Sequence, residues 1–164
     1  SAAERIFSIL GEKASVPICT TAVLSPPPLF TLFFRKVSFR YPGSTRPALY
    51  NINLQIPQAA KTALVGPSGA GKSTLSQLLL RLIQADEGAI FVNELPLSEI
   101  PVKRWRKQIA WIPQAPYLFN ETVAENIALA KEGATEKEII SAAQMANVHD
   151  FIQSLPLGYQ TVIG

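Results

Sequence analysis

Residues 66–74 read Gly66-Pro67-Ser68-Gly69-Ala70-Gly71-Lys72-Ser73-Thr74, a complete match to G-x-x-x-x-G-K-[ST]. Each residue type has a chemical reason to stand where it does. Gly66, Gly69 and Gly71 let the backbone aim successive N–H groups inward, a nest that fits phosphate oxygens. A helix starting near Lys72 points its positive end at the same place. Lys72 brings a point charge to the outer phosphates, and the Ser73 hydroxyl is placed to sit on a phosphate-bound Mg²⁺. The sequence therefore predicts a nucleotide site over 66–74, with Lys72 in the chemistry and Ser73 on the metal.

Two further residues stand out by type and place. Tyr41, in Arg40-Tyr41-Pro42-Gly43, lies at a loop mouth where Pro and Gly break strand pairing. Gln114 closes Trp111-Ile112-Pro113-Gln114, at the end of a strand expected over Gln108–Pro113. Taken singly, each also has a plain reading: Tyr41 as an aromatic capping a sheet at its turn, Gln114 as an exposed strand terminus. The lone histidine, His149, falls at a helix end and reads as a surface residue. Lys103, Arg104, Arg106 and Lys107 read as a solvated helix face.

These residues need elements to hold them. Leu29–Phe39, aromatic and β-branched, predicts a strand that delivers Tyr41 to its turn, and the alternation in Ile52–Ile56 predicts a half-buried antiparallel strand ended by Pro57. Thr62–Val65 is apolar throughout, the pattern of a strand covered on both faces. Leu75, Leu78, Leu79, Leu82 and Ile83 form a helical stripe closed by Asp86-Glu87-Gly88, and a strand follows at Ala89–Val92. Short helices are expected over Pro101–Lys107 and Thr122–Ala130. Thr135-Glu136-Lys137-Glu138 is a capping box opening a further helix, with Met145 and Phe151 expected in the core. Gln160–Gly164 reads as extended. The fold class is thus α/β: a P-loop core with an antiparallel β layer.

Composition narrows the classes. With 164 residues, 48% of them hydrophobic, the chain is long enough for about one domain with a core. Fifteen basic against 12 acidic residues leave a net charge of +3, too mild for a nucleic-acid surface. Cys19 is alone, so no internal disulfide forms and a reducing compartment fits. Residues 14–34 carry no charge, yet Pro17 and Pro26-Pro27-Pro28 rule out a membrane-spanning helix there. The expected division is a short amphipathic helix and Pro-rich linker over 1–28, then the α/β portion over 29–164.

A loop Tyr about 25 residues before the glycine-rich stretch and a strand-end Gln about 40 after it make the chain resemble the ATP-binding domain of an ABC transporter. The resemblance runs from Phe39 to Gly164. It implies that Tyr41 stacks on adenine, where any aromatic ring would serve, and that Gln114 contacts Mg²⁺ and the attacking water. It implies ATP and Mg²⁺ as ligands. Ala2-Ala3-Glu4-Arg5-Ile6-Phe7 is similar to the helix that joins the membrane domain of exporter-type ABC proteins to the ATPase. Pro116–Ile127 resembles the exporter surface that receives the membrane domain.

The implied partners are a second ATPase domain in a head-to-tail dimer and a membrane domain of the same parent chain, with no nucleic acid. The implied location is the cytoplasmic face of a bacterial inner (plasma) membrane, and among exporters the heterodimeric thiol type is similar. In the family the signature motif, the Walker B strand with its Glu, and the switch histidine follow the segment matched by Thr161–Gly164. The chain is accordingly expected to be the N-terminal part of an ATPase domain, incomplete at its C-terminus and inactive alone. A soluble ABC ATPase and a non-catalytic nucleotide-binding module are the alternatives. A GTPase would carry N-K-x-D, and no Asn-Lys pair occurs. A small-molecule kinase leaves Gln114 and the Phe7 helix without a role.

Overall fold

In a computed structural model, which describes Val16 and residues 29–164, the aromatic run ahead of Tyr41 forms an inner strand of an antiparallel sheet. This strand is β1, Leu32–Phe39, and it lies between β2, Leu49–Ile56, and β3, Glu87–Val92, with the two-residue β4, Leu95–Pro96, beyond β3. The expected helix at 2–10 and the linker to 28 fall outside the described residues. The chain divides into two compact units, Ser1–Ala110 and Trp111–Gly164.

The core of the first unit is set by an irregularity in β1. Phe34, Val37 and Phe39 are all buried, although the step from 34 to 37 breaks the two-residue period of a strand. A bulge resolves this: the register shifts between Phe34 and Val37, and Lys36 takes φ 52°. Gly88 of β3 faces the bulge at φ +73°, where an added Cβ would stand 2.3 Å from the Lys36 carbonyl, so only glycine fits.

Helix α1, Lys72–Leu79, lays Leu75 and Leu78 into the same core as Phe34, Ile90 and Val92. It ends well before Ile83. Arg81 takes φ 53°, with Arg81 N–H bonded to Leu78 O (3.0 Å) and Leu82 N–H to Gln77 O (2.9 Å), a Schellman stop with arginine in the usual glycine place. Asp86, read from sequence as part of the helix end, instead accepts from Arg40 N–H at 2.7 Å. A short helix α2, Val102–Arg106, locks this end from outside. Trp105, 1% exposed and in ring contact with Phe30, donates Nε1–H to Leu79 O (2.6 Å). Arg106 donates to Leu80 O and Arg81 O, each at 2.9 Å. Arg106 is therefore a helix clamp and not the purely solvated charge expected of the basic cluster.

Two expected strands do not form. Neither Thr62–Val65 nor Gln108–Pro113 is strand: Thr62–Val65 is exposed where burial on both faces was expected, Val65 at 93%, and Gln108–Pro113 leaves Ile112 87% exposed while Ile109 packs on the core. A strand exists only through a neighbour's backbone, and no parallel pair occurs among the described residues. Gln114 consequently stands at a bend, not at a strand end.

The second unit holds a small core of Val123, Ala143 and Ile152. Helix α3, Val123–Ala128, opens on a reciprocal capping box: Thr122 Oγ1 accepts from Glu125 N–H (3.1 Å), and Glu125 Oε2 from Thr122 N–H (2.8 Å). In α4, Glu136–Met145, the expected box is present, and Glu138 reaches back to Thr135 N–H at 3.0 Å. Helix α5, His149–Ser154, turns Ile152 inward, which swings Phe151 about 100° away, to 66% exposure. Met145, the last residue of α4, is 82% exposed, so neither it nor Phe151 joins the core of this unit. The segment expected to be extended at 160–164 becomes strand at Val162–Ile163 (β6), paired with Glu121–Thr122 (β5).

Candidate nucleotide site

The amino end of α1 is built for an anion. Its N-cap is Gly71 at φ +84°, no side chain caps it, and its first turn holds no acidic residue. Helices α3 and α4 present a glutamate at that place, Glu125 and Glu138. An uncapped first turn leaves backbone donors pointing out of the helix with the positive end of its dipole. The loop before it is fixed by its glycines. Gly69 stands at φ +80°, and a turn bond runs from Ala70 N–H to Pro67 O at 3.2 Å. A Cβ on Gly71 would meet the Ala48 carbonyl and Leu49 Cδ2, both at 2.6 Å, so β2 presses on the loop from behind.

Lys72 closes the loop in front. Its Nζ donates to Gly66 O and Pro67 O, each at 2.7 Å. An ammonium has three donors, and two bonds to loop carbonyls hold the charge over the loop rather than out in solvent. Ser73 is exposed beside it. Among the described residues no cluster of His, Cys, Asp or Glu is placed to hold a metal ion. A Mg²⁺ taken up with phosphate would not depend on such a cluster, because phosphate oxygens, side-chain oxygens and waters would serve as its ligands.

Tyr41 is joined to this helix. Its ring stands perpendicular to that of Phe39, centroids 4.9 Å apart at 86°, and the residue remains 39% exposed. Its hydroxyl donates to Gln77 Oε1 at 2.9 Å and lies 3.1 Å from Thr74 Oγ1. The phenol has one proton, so with that proton on Gln77 the Thr74 hydroxyl is the donor of the second bond. Gly66–Thr74 and Tyr41 thus form one assembly in the first unit. Gln114 belongs to the second unit, where it is exposed.

Sequence reasoning missed the hold on Tyr41 by Gln77 and the clamp on α1 by Trp105 and Arg106. The available signal for the first was a polar pair, Thr74 and Gln77, at i and i+3 beside the Leu75/Leu78 stripe. For the second there was none, because a donor in the next helix has no periodic signature.

Comparison with known proteins bears on the whole of this arrangement. Residues 49–162 match the sequence profile of the ABC transporter family. The uncharacterized ABC transporter ATP-binding protein YfiB of Bacillus subtilis (strain 168) is 46% identical over 131 residues, 80% of this chain and 23% of the relative. An ATP-dependent lipid A-core flippase of Chromobacterium violaceum is 41% identical over 164 residues, 100% of this chain and 28% of the relative. The multidrug resistance-like ATP-binding protein MdlA of Escherichia coli (strain K12) is 42% identical over 126 residues, 77% of this chain and 21% of the relative. A solved bacterial Atm1-family ABC exporter with ATP bound superposes with a TM-score of 0.88 at 32% identity, over 99% of this chain and 28% of that one. The chain spans about a quarter of the length of the curated relatives it matches.

Proposed function

The chain belongs to the ABC transporter family, with the P-loop fold of its ATPase domain, and from that premise we propose that it binds ATP with Mg²⁺ as the nucleotide-binding part of an ATP-driven exporter. The observation that carries this is the uncapped amino end of α1, with Lys72 held across the loop in front of it. Backbone donors and one fixed cation converge on a volume suited to phosphate oxygens. Tyr41, 39% exposed and bonded to Thr74 and Gln77 of the same helix, is the platform on which a base would stack. Mg²⁺, when bound, would offset phosphate charge, with Ser73 and Gln114 as its protein contacts.

Hydrolysis asks for more than these residues provide. It needs an oriented water, a base, and stabilisation of charge developing on the transferred phosphoryl group. Lys72 and the α1 donors address the charge, and Gln114 is assigned to the water. The base and the opposing half of the site are assigned to other parts of the assembly: a following segment of the ATPase domain and a second, head-to-tail ATPase domain. A membrane domain of the same protein is the remaining partner, which puts the site at the cytoplasmic face of a membrane. Among the described residues no helix is long and apolar enough to cross one.

The test is ATP turnover by the full-length protein beside residues 1–164 alone. The full-length protein is expected to release phosphate in a Mg²⁺- and Lys72-dependent way, whereas 1–164 releases no more than its own Lys72→Ala control. A steady, Lys72-dependent rate from 1–164 would overturn the two-part site and make Glu121 and Glu125 the first candidate bases.

A further inference from the structure

The hydroxyl of Tyr41 has no part in stacking, yet the fold gives it two partners on the phosphate-loop helix. We propose that Gln77, together with Thr74, is a positioning residue for the base of the bound nucleotide, acting through the Tyr41 hydroxyl. This rests on the reading of Tyr41 as the base platform.

The geometry supplies three holds on one ring. Its ring packs perpendicular to that of buried Phe39. Its backbone is fixed from the preceding residue, where Arg40 N–H bonds to Asp86 Oδ2 at 2.7 Å. Its far end is fixed by a relay in which Thr74 donates to the phenol oxygen and the phenol donates to Gln77 Oε1. Successive hydrogen bonds of this kind polarise and strengthen one another. Thr74 is nearly fully buried at 5% exposure, so this end of the relay does not drift.

An exposed loop aromatic ordinarily gives up rotamer freedom when a base stacks on it, and that loss weakens binding. Here the ring is already held by its hydroxyl while the residue stays 39% exposed. The anchors matter for a second reason: Thr74 lies two residues, and Gln77 five, after Lys72 on the same helix. The platform and the phosphate loop are therefore held at a fixed separation, and a ligand must match both at once. A phenylalanine at 41 would keep the face and lose the hold, so Tyr and Phe are not equivalent at this position.

The experiment is a binding series on the full-length protein with two probes, MgATP and inorganic tripolyphosphate, which carries the phosphates without a base. Gln77→Leu is expected to weaken MgATP about threefold to tenfold, the range one hydrogen bond spans, and to leave tripolyphosphate unchanged. Gln77→Glu, which keeps an acceptor for the phenol, is expected to restore MgATP affinity. In a Tyr41→Phe background the Gln77→Leu loss should vanish, because the bond it removes is already absent. Equal weakening of both probes, or the same loss in both backgrounds, would overturn the proposal and make Gln77 a structural residue. Unchanged MgATP affinity in Tyr41→Ala would overturn the platform reading and this inference with it. A loss in Tyr41→Ala with none in Gln77→Leu would overturn the inference alone.

Discussion

Gly71 and Lys72 are adjacent, and they fail in different ways when replaced. At Gly71 an alanine meets the Ala48 carbonyl at 2.6 Å in a left-handed conformation that itself costs about 1–2 kcal/mol, so Gly71→Ala should lower both thermal stability and nucleotide affinity. An unchanged melting temperature would show that β2 gives way. Lys72→Ala removes the charge with its bonds to the exposed Gly66 and Pro67 carbonyls, which water can take over, so it should leave the melting temperature nearly unaltered. The nine-residue loop was legible in the sequence because its chemistry is written in consecutive residues, each with one job. The relay from Tyr41 to Gln77 was not, because it joins residues 36 apart and depends on the turn that Asp86 fixes.

At the scale of elements, the stability of α1 depends on its neighbour α2. Trp105→Phe keeps the buried ring and loses the bond to Leu79 O, which should cost about 1–3 kcal/mol because a part-buried carbonyl is left unpaired. Denaturant unfolding reads this directly, and a midpoint equal to wild type would mean that the carbonyl finds another donor. In the second unit the start of α4 is sensitive to acid. The Lys131 ammonium beside Glu138, with Thr135 N–H behind it, holds that carboxyl down at about 2, against 4.5 unperturbed. A lowered carboxylate stabilises the fold above its unfolded value and loses that contribution as it is protonated, so this contribution should fade between about pH 4.5 and 2. The gap in melting temperature between wild type and Glu138→Gln should close over that window; a gap that stays constant would contradict the assignment. Helices α3 and α4 were legible because caps are local, Thr122 with Glu125 and Thr135 with Glu138. Thr62–Val65 and Gln108–Pro113 were misread because an apolar run records only that a segment suits a sheet, whereas a strand needs a neighbour to bond.

Each of the two units leaves apolar chain exposed: Leu64 and Val65 in the first, Trp111, Ile112 and Phe151 in the second. Exposed apolar segments of that kind associate. Residues 1–164 in isolation should therefore show concentration-dependent association by analytical ultracentrifugation; a single monomeric species throughout would contradict this. The family match at 49–162 takes in the loop 66–74 and α1. The central claim is narrower than transport: the loop 66–74 binds ATP through the charge of Lys72. Calorimetric titration of the full-length protein with MgATP, wild type beside Lys72→Ala, tests it most directly. Loss of a charge-assisted contact of about 1.5–3 kcal/mol should weaken binding tenfold or more, with the circular dichroism spectrum unchanged. Equal affinity in a folded Lys72→Ala variant would contradict the account.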